Sequence, residues 1–179
     1  QQTPADLQPP RSPRLVLAGI ILAVGLALDL VTKAWAWHAL RDGSSVTVIQ
    51  NWFYMEFGFN TGAAFSLFRD GSWSRALFIV VTLAALAYMV RLALTLPTRW
   101  PSGFVAIGLV SSGAMGNLHD RIVRQMIIGG ELRHGVVDFI KVYYWPDKPW
   151  PTFNVADVAL VVGVGLLLIY ISRHGEAID

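Results

Sequence analysis

Residues 153–172 read FNVADVALVVGVGLLLIYIS: a single carboxylate, Asp157, followed by fifteen residues without a charge. A carboxylate at the rim of so apolar a run is costly if the run lies in hydrocarbon, and such groups mark functional sites by default. A second acid stands in a similar position, since Asp138 ends the apolar stretch Gly135-Val136-Val137. Two carboxylates are the minimum equipment for aspartyl hydrolysis, one ionised to activate water and one protonated to polarise a carbonyl.

Outward from this stretch, the whole chain has the composition of a membrane protein. Its 179 residues are 54% hydrophobic and only 15% charged. Uncharged runs lie at 15–28, 76–90, 100–118 and 158–172. Each is close to or shorter than the ~20 residues that cross a bilayer. Flanking Arg75, Arg91 and Arg173 extend the effective span by snorkelling. The expectation is a mainly α membrane protein, a four-transmembrane-helix bundle with a small β platform on one membrane face. Residues 1–14 are expected to form a disordered proline-rich tail, 15–174 one domain, and 175–179 a C-terminal tail. The first run does not read as a cleavable signal peptide, because further spans follow it.

Several chemistries are excluded early. The chain has no cysteine, so thiol catalysis, disulfides and Cys-ligated metals are absent. His38, His119, His134 and His174 show no metal-ligand spacing. No metal and no cofactor are expected. A net charge of +2, with scattered basic residues, gives no stripe for nucleic acid; basic residues at the membrane edge suit lipid headgroups instead. Ser111-Ser112-Gly113 would need a partner base for serine chemistry, and no His lies in another run.

Four spans put both termini on one side. The connection at 92–101 is short, whereas 34–74 and 119–153 are long, so function belongs with the long ones. Lys and Arg counts oppose placing the termini inside, while their density per loop slightly favours it. Strands are expected near 46–59 and 136–144, from β-branched and aromatic residues bounded by Asp42-Gly43 and by Trp145-Pro146-Asp147-Lys148-Pro149. Trp52, Trp73, Trp145 and Trp150 suit an interfacial belt.

Each candidate site residue also has a plain structural reading. Asn154-x-x-Asp157 is a helix N-cap with an acid in the first turn. Capping and chemistry are compatible, because Asn154 can cap the helix and still aim its amide into a site. Asp138 reads either as a strand-end acid, facing solvent or paired with Lys141, or as a desolvated catalytic carboxyl. Asn117, Asp120 and Arg121 share a helix face; Arg121 is equally an interfacial arginine or a group that grips substrate carbonyls. Asp29 and Lys33, at i and i+4, read best as a self-neutralising structural pair. Asn60 and Gly62 permit a tight backbone in the segment 59–66, which is either a simple turn or a close approach to an extended chain.

Taken together, these segments resemble the lipoprotein signal peptidases, or signal peptidase II family, aspartyl intramembrane proteases of bacteria. The resemblance rests on Asp29-x-x-x-Lys33, the segment 60–66, Gly116-Asn117-x-x-Asp120-Arg121, Val136-Val137-Asp138-Phe139 and Phe153-Asn154-x-Ala156-Asp157, in family order. It implies a bacterial inner-membrane enzyme with cytoplasmic termini, an active site near the outer face and a catalytic dyad of Asp138 and Asp157. Asn60, Asn117, Arg121 and Asn154 match site-lining positions; Asp29, Lys33, Gly62 and Asp120 match supporting ones. The implied substrate is a prolipoprotein signal peptide whose lipobox Cys carries a diacylglyceryl group, cut just before that Cys. A monomer in contact with membrane lipid is expected. Residues 125–131 look like an addition to the family pattern.

Two other classes fit the same acids. A small transporter or proton relay would string them through the depth of the bundle, whereas Asp120, Asp138 and Asp157 fall at one face. A non-catalytic binder of lipidated peptides would keep its affinity when the acids are replaced.

Overall fold

Helix α1 (Arg11–Ala39) leads into strands β1 (Ser45–Ile49) and β2 (Phe53–Asn60). Helices α2 (Gly71–Thr95) and α3 (Ser102–Val123) follow. A small hairpin, β3 (Gln125–Ile128) and β4 (Glu131–His134), precedes β5 (Val136–Trp145), β6 (Lys148–Pro149) and α4 (Val155–His174). The structure is a computed structural model and describes residues 8–62 and 71–174. α1, α2 from Trp73, and α4 are long and apolar enough to cross a membrane. α3, the remaining expected span, has 22 residues and packs against the other three.

The helices extend beyond the uncharged runs, and arginines at the start of α1 satisfy backbone carbonyls at and just past the end of α2. Arg11 donates to the carbonyls of Ala93 and Leu96, both at 2.9 Å, and Arg14 to that of Thr98 at 2.9 Å. Helix C-termini leave such carbonyls without intrahelical partners. Gln8 Oε1 accepts the Thr98 N–H at 2.9 Å. The expected tail boundary at residue 14 differs here: among the described residues Gln8 reaches Thr98 and α1 starts at Arg11.

Small residues make α3 the hub. Gly113 lies so close to α4 that a Cβ there would run into the Ala156 carbonyl oxygen and come within 2.7 Å of Leu160 Cγ. Small residues at a helix contact let backbones approach closely, which is how membrane helices gain packing energy. A core of Met89, Leu92, Leu96, Phe104, Ile107, Val110, Leu167 and Tyr170 fills one end of the bundle. At the other end Ala36, Leu40, Val137 and Phe139 seat the sheet on the C-terminal turns of α1, flanked by Trp37, Phe57 and Phe59.

The four-stranded antiparallel sheet has the order β1-β2-β5-β6. It falls where strands were expected. The hairpin was not expected. Residues 125–131 looked like added loop, yet Ile127 pairs with Leu132 across a Gly129-Gly130 turn with φ of 61° and 85°. That turn requires positive φ at both positions, and Gly-Gly between alternating residues is its ordinary signal.

Gly113→Val should wedge α3 from α4 and lower the melting temperature in detergent, at an overpacking cost of about 1–3 kcal/mol. Gly165→Ala, whose Cβ meets nothing within 4 Å, should melt at or above the parent. Equal melting of the two variants would refute this account of the helix contact.

Candidate active site

β5 and α4 deliver the two acids, and the chain between them is stitched to the sheet. Phe153 pairs with Ile140, its N–H reaching the Ile140 carbonyl at 3.0 Å and its carbonyl accepting the Ile140 N–H at 2.8 Å. α4 therefore begins beside β5. Asn154 caps it: the Asp157 N–H donates to Asn154 Oδ1 at 2.9 Å, and the Asn154 N–H donates to Asp157 Oδ2 at 3.1 Å. This reciprocal box satisfies two amides that the helix end leaves without partners. The same Asn154 donates through Nδ2 to Asp138 Oδ1 at 2.7 Å. Capping and site-lining thus coexist in one buried side chain.

Asp138 does not pair with Lys141. Residues an odd number apart in a strand point to opposite faces, and Lys141 instead binds Glu56 at 2.6 Å. Asp138 faces inward and is 4% exposed. Burial pushes its carboxyl up to about 6, and the Asp157 charge adds to the rise. Side-chain hydrogen bonds from Asn60 and Asn154, and the Lys33 charge, oppose it. Asn60 also accepts the Gly62 N–H at 3.0 Å. Gly62 has φ of +78°, and a Cβ there would meet the Phe78 ring at 2.7 Å, so only glycine fits. The rest of that motif, 63–66, lies outside the described residues.

Beneath the acids lies a buried polar layer. Lys33 donates to Asn117 Oδ1 at 2.8 Å and forms ion pairs with Asp29 at 2.8 Å and Asp120 at 3.6 Å. Asn117 Nδ2 donates to Asp157 Oδ1 at 2.8 Å, and Asn154 Nδ2 lies 3.1 Å from Asn117 Oδ1. Asp29 accepts the Ala156 N–H at 2.9 Å, which ties α1 to the first turn of α4. Asp120 accepts the Val137 N–H at 3.0 Å and Arg124 Nε at 2.9 Å. The Asp29–Lys33 pair is therefore self-neutralising, as expected, and also reaches across three helices. Asp120 turns inward to Lys33 and Arg124, while Arg121 lies over the Phe78 ring at 4.5 Å with its charge toward Asp157 and Asp138. Sequence reasoning missed Arg124 and the Glu56–Lys141 pair. Asp120 and Arg124 are four apart on one helix, a spacing that could have signalled their pairing.

All ten expected site residues lie in or beside this cluster. Among the described residues no group of His, Asp and Glu could hold a metal ion. The arrangement offers two carboxyls in unlike surroundings, both held by Asn154, one through its side-chain amide and one through its backbone N–H.

A carboxyl held above its ordinary value of 3.8 favours the fold most while protonated. Its contribution is complete below that value and is lost as pH rises through about 6. Asp138→Asn should therefore be more stable than the parent near pH 8, by on the order of 2–3 kcal/mol, with the difference closing toward pH ~4. Melting curves across that range test this, and a pH-independent difference would contradict it.

Comparison with known proteins places these residues in a family. A family model described as signal peptidase (SPase) II matches residues 21–173. The lipoprotein signal peptidase of Symbiobacterium thermophilum is 36% identical over 165 residues, 90% of this chain and 100% of that protein. That of Mycobacterium avium is 38% identical over 172 residues, 96% of this chain and 86% of its own length. A solved bacterial membrane enzyme, determined by the in meso method at 1.9 Å resolution, matches with a TM-score of 0.72 at 28% identity, covering 86% of this chain and 91% of that one. With a family match across most of its length, relatives above a third identical and a shared membrane-enzyme fold, this chain belongs to the signal peptidase II family of peptidases.

Proposed function

We propose that this chain is an intramembrane aspartyl endopeptidase that removes the signal peptide from diacylglyceryl-modified prolipoproteins, cutting just before the lipidated Cys. The observation that carries the reading is the hold of Asn154 on both acids, Nδ2 on Asp138 and the backbone N–H on Asp157. Two carboxyls fixed by one residue at the start of an apolar helix stand where water and an apolar substrate can meet. One carboxylate takes a proton from water as its oxygen attacks the scissile carbonyl. The other carboxyl donates a hydrogen bond to that carbonyl oxygen and then passes a proton to the leaving nitrogen as the C–N bond breaks. Arg121, facing both acids, is suited to grip a substrate carbonyl.

In this reading all four helices cross the inner membrane of a bacterium, with both termini cytoplasmic and the dyad near the outer face. The protein works as a monomer. Its sheet lies on the membrane surface as a platform, with the exposed rings of Trp52, Trp145 and Trp150 at the interface, a depth that suits amphipathic aromatics. The lipid chains of the substrate remain in the bilayer while the scissile segment reaches the acids. A proton relay is disfavoured by placement: Asp29, Asp120, Asp138 and Asp157 join one layer and do not form a string through the bundle.

Purified protein incubated with a lipidated precursor should release a signal peptide, read as a size shift. Asp138→Asn and Asp157→Asn should each lower cleavage by 10³-fold or more, about 4 kcal/mol of lost transition-state stabilisation, while remaining folded. Full cleavage by either variant would refute the dyad. Binding of the precursor with no product from the parent would point to a non-catalytic binder.

A further inference from the structure

Three donors that cannot accept set the direction of the two amides, Asn117 and Asn154, that touch the acids. The Lys33 ammonium lies between two carboxylates and has hydrogens but no lone pair. It must therefore face the oxygen of Asn117, at 2.8 Å. The amide nitrogen of Asn117 is left to face Asp157 Oδ1, at 2.8 Å. The backbone N–H of Asp157 likewise claims the oxygen of Asn154, which turns Asn154 Nδ2 toward Asp138 Oδ1. The backbone N–H of Asn154 takes Asp157 Oδ2 at 3.1 Å. Asp157 thus receives a donor at each oxygen. Asp138 also accepts side-chain donors, from Asn60 and from Asn154 at Oδ1, but it is 4% exposed whereas Asp157 is half-buried, and burial away from water disfavours a charged carboxylate.

We propose that Lys33 is a positioning residue that fixes the direction of the Asn117 amide, and that this direction, with Asn154 set by the Asp157 N–H, places the resting proton of the dyad on Asp138 and leaves Asp157 as the ionised base. The assignment rests on the dyad reading above and adds the division of labour: Asp157 activates water, and Asp138 donates to the substrate carbonyl. The burial that raises Asp138 to about 6 acts in the same direction. The charged groups facing Asp138 are Asp157 on α4, Lys33 on α1 and Arg121 on α3. Asp120 is taken up by Lys33 and Arg124. Asp29 is taken up by Lys33 and the Ala156 N–H.

Infrared spectroscopy of the full chain in detergent reads the protonated carboxyl directly, without any cleavage assay. The parent should show a carboxylic-acid band that fades as pH rises through about 6. Asp138→Asn should abolish it, and Asp157→Asn should keep it at lower pH, because the neighbouring negative charge is gone. A band that survives Asp138→Asn and disappears in Asp157→Asn overturns the assignment, as does a parent with no band down to pH ~4.

The role of Lys33 has its own arm. Asp29→Asn with Lys33→Gln removes both charges of the pair together, and a neutral amide can present either end to Asn117. With the direction released, either acid can hold the proton, so adding Asp138→Asn should remove only part of the band. With Lys33→Arg, which still only donates, Asp138→Asn should remove all of it. Complete loss in both backgrounds would make Lys33 a purely structural residue. Should the double variant not fold, the Asp138→Asn and Asp157→Asn comparison still decides where the proton sits. Because the band is independent of turnover, absent cleavage by the parent would fail the proposed function without deciding the proton assignment.

Discussion

The junction of Phe153 and Asn154 is the constraint on which the rest depends. Phe153 is laddered to Ile140 in β5, and the next residue caps α4 while holding Asp138. A strand and a helix that share no continuous backbone are thereby brought to one polar contact. Small displacements matter there, because the hydrogen bonds to each acid span only 2.7–3.1 Å. The cap therefore lies within the candidate site: Asn154 caps α4 through Oδ1 and its backbone N–H and holds Asp138 through Nδ2.

The buried layer below this junction answers an energetic problem. Asp29, Lys33 and Asp120 are fully buried, and an isolated charge in such surroundings would carry a large desolvation cost. Pairing reduces the cost, and each carboxylate also accepts a backbone N–H, from Ala156 and Val137 respectively. Those amides belong to α4 and β5, the two elements that carry the catalytic candidates. The ions thus hold the elements of the site in register, which a purely apolar layer would do without directional preference. The close α3–α4 contact at Gly113 brings Asn117, one turn further along α3, to the first turn of α4.

Much of the fold was legible because its signals are local. Uncharged runs located the helices, alternation and turn residues located the sheet, and Asn154-x-x-Asp157 announced a cap. The misses had local causes. Arginines placed before the first run were read as tail because their acceptors, the carbonyls at the end of α2, are about 80 residues away. The hairpin at 125–134 was passed over although Gly129-Gly130 lies between alternating residues, since its apolar content is slight beside the neighbouring spans. Sequence proximity offered Asp138 the partner Lys141, and strand parity removed it.

By itself the sequence determined which segments are apolar, where helices start, and that carboxylates stand at the edges of apolar runs. These follow from periodicity and from the cost of charge in hydrocarbon, and need no knowledge of neighbours. It also carried the ordered motifs by which the family is recognised. Only the tertiary structure decided that Asn154 touches both Asp138 and Asp157, that Lys33 donates to Asn117, and that Asp120 turns to Arg124. Hydrogen-bond direction depends on which atoms meet in space, and those partners come from three helices and a strand far apart along the chain.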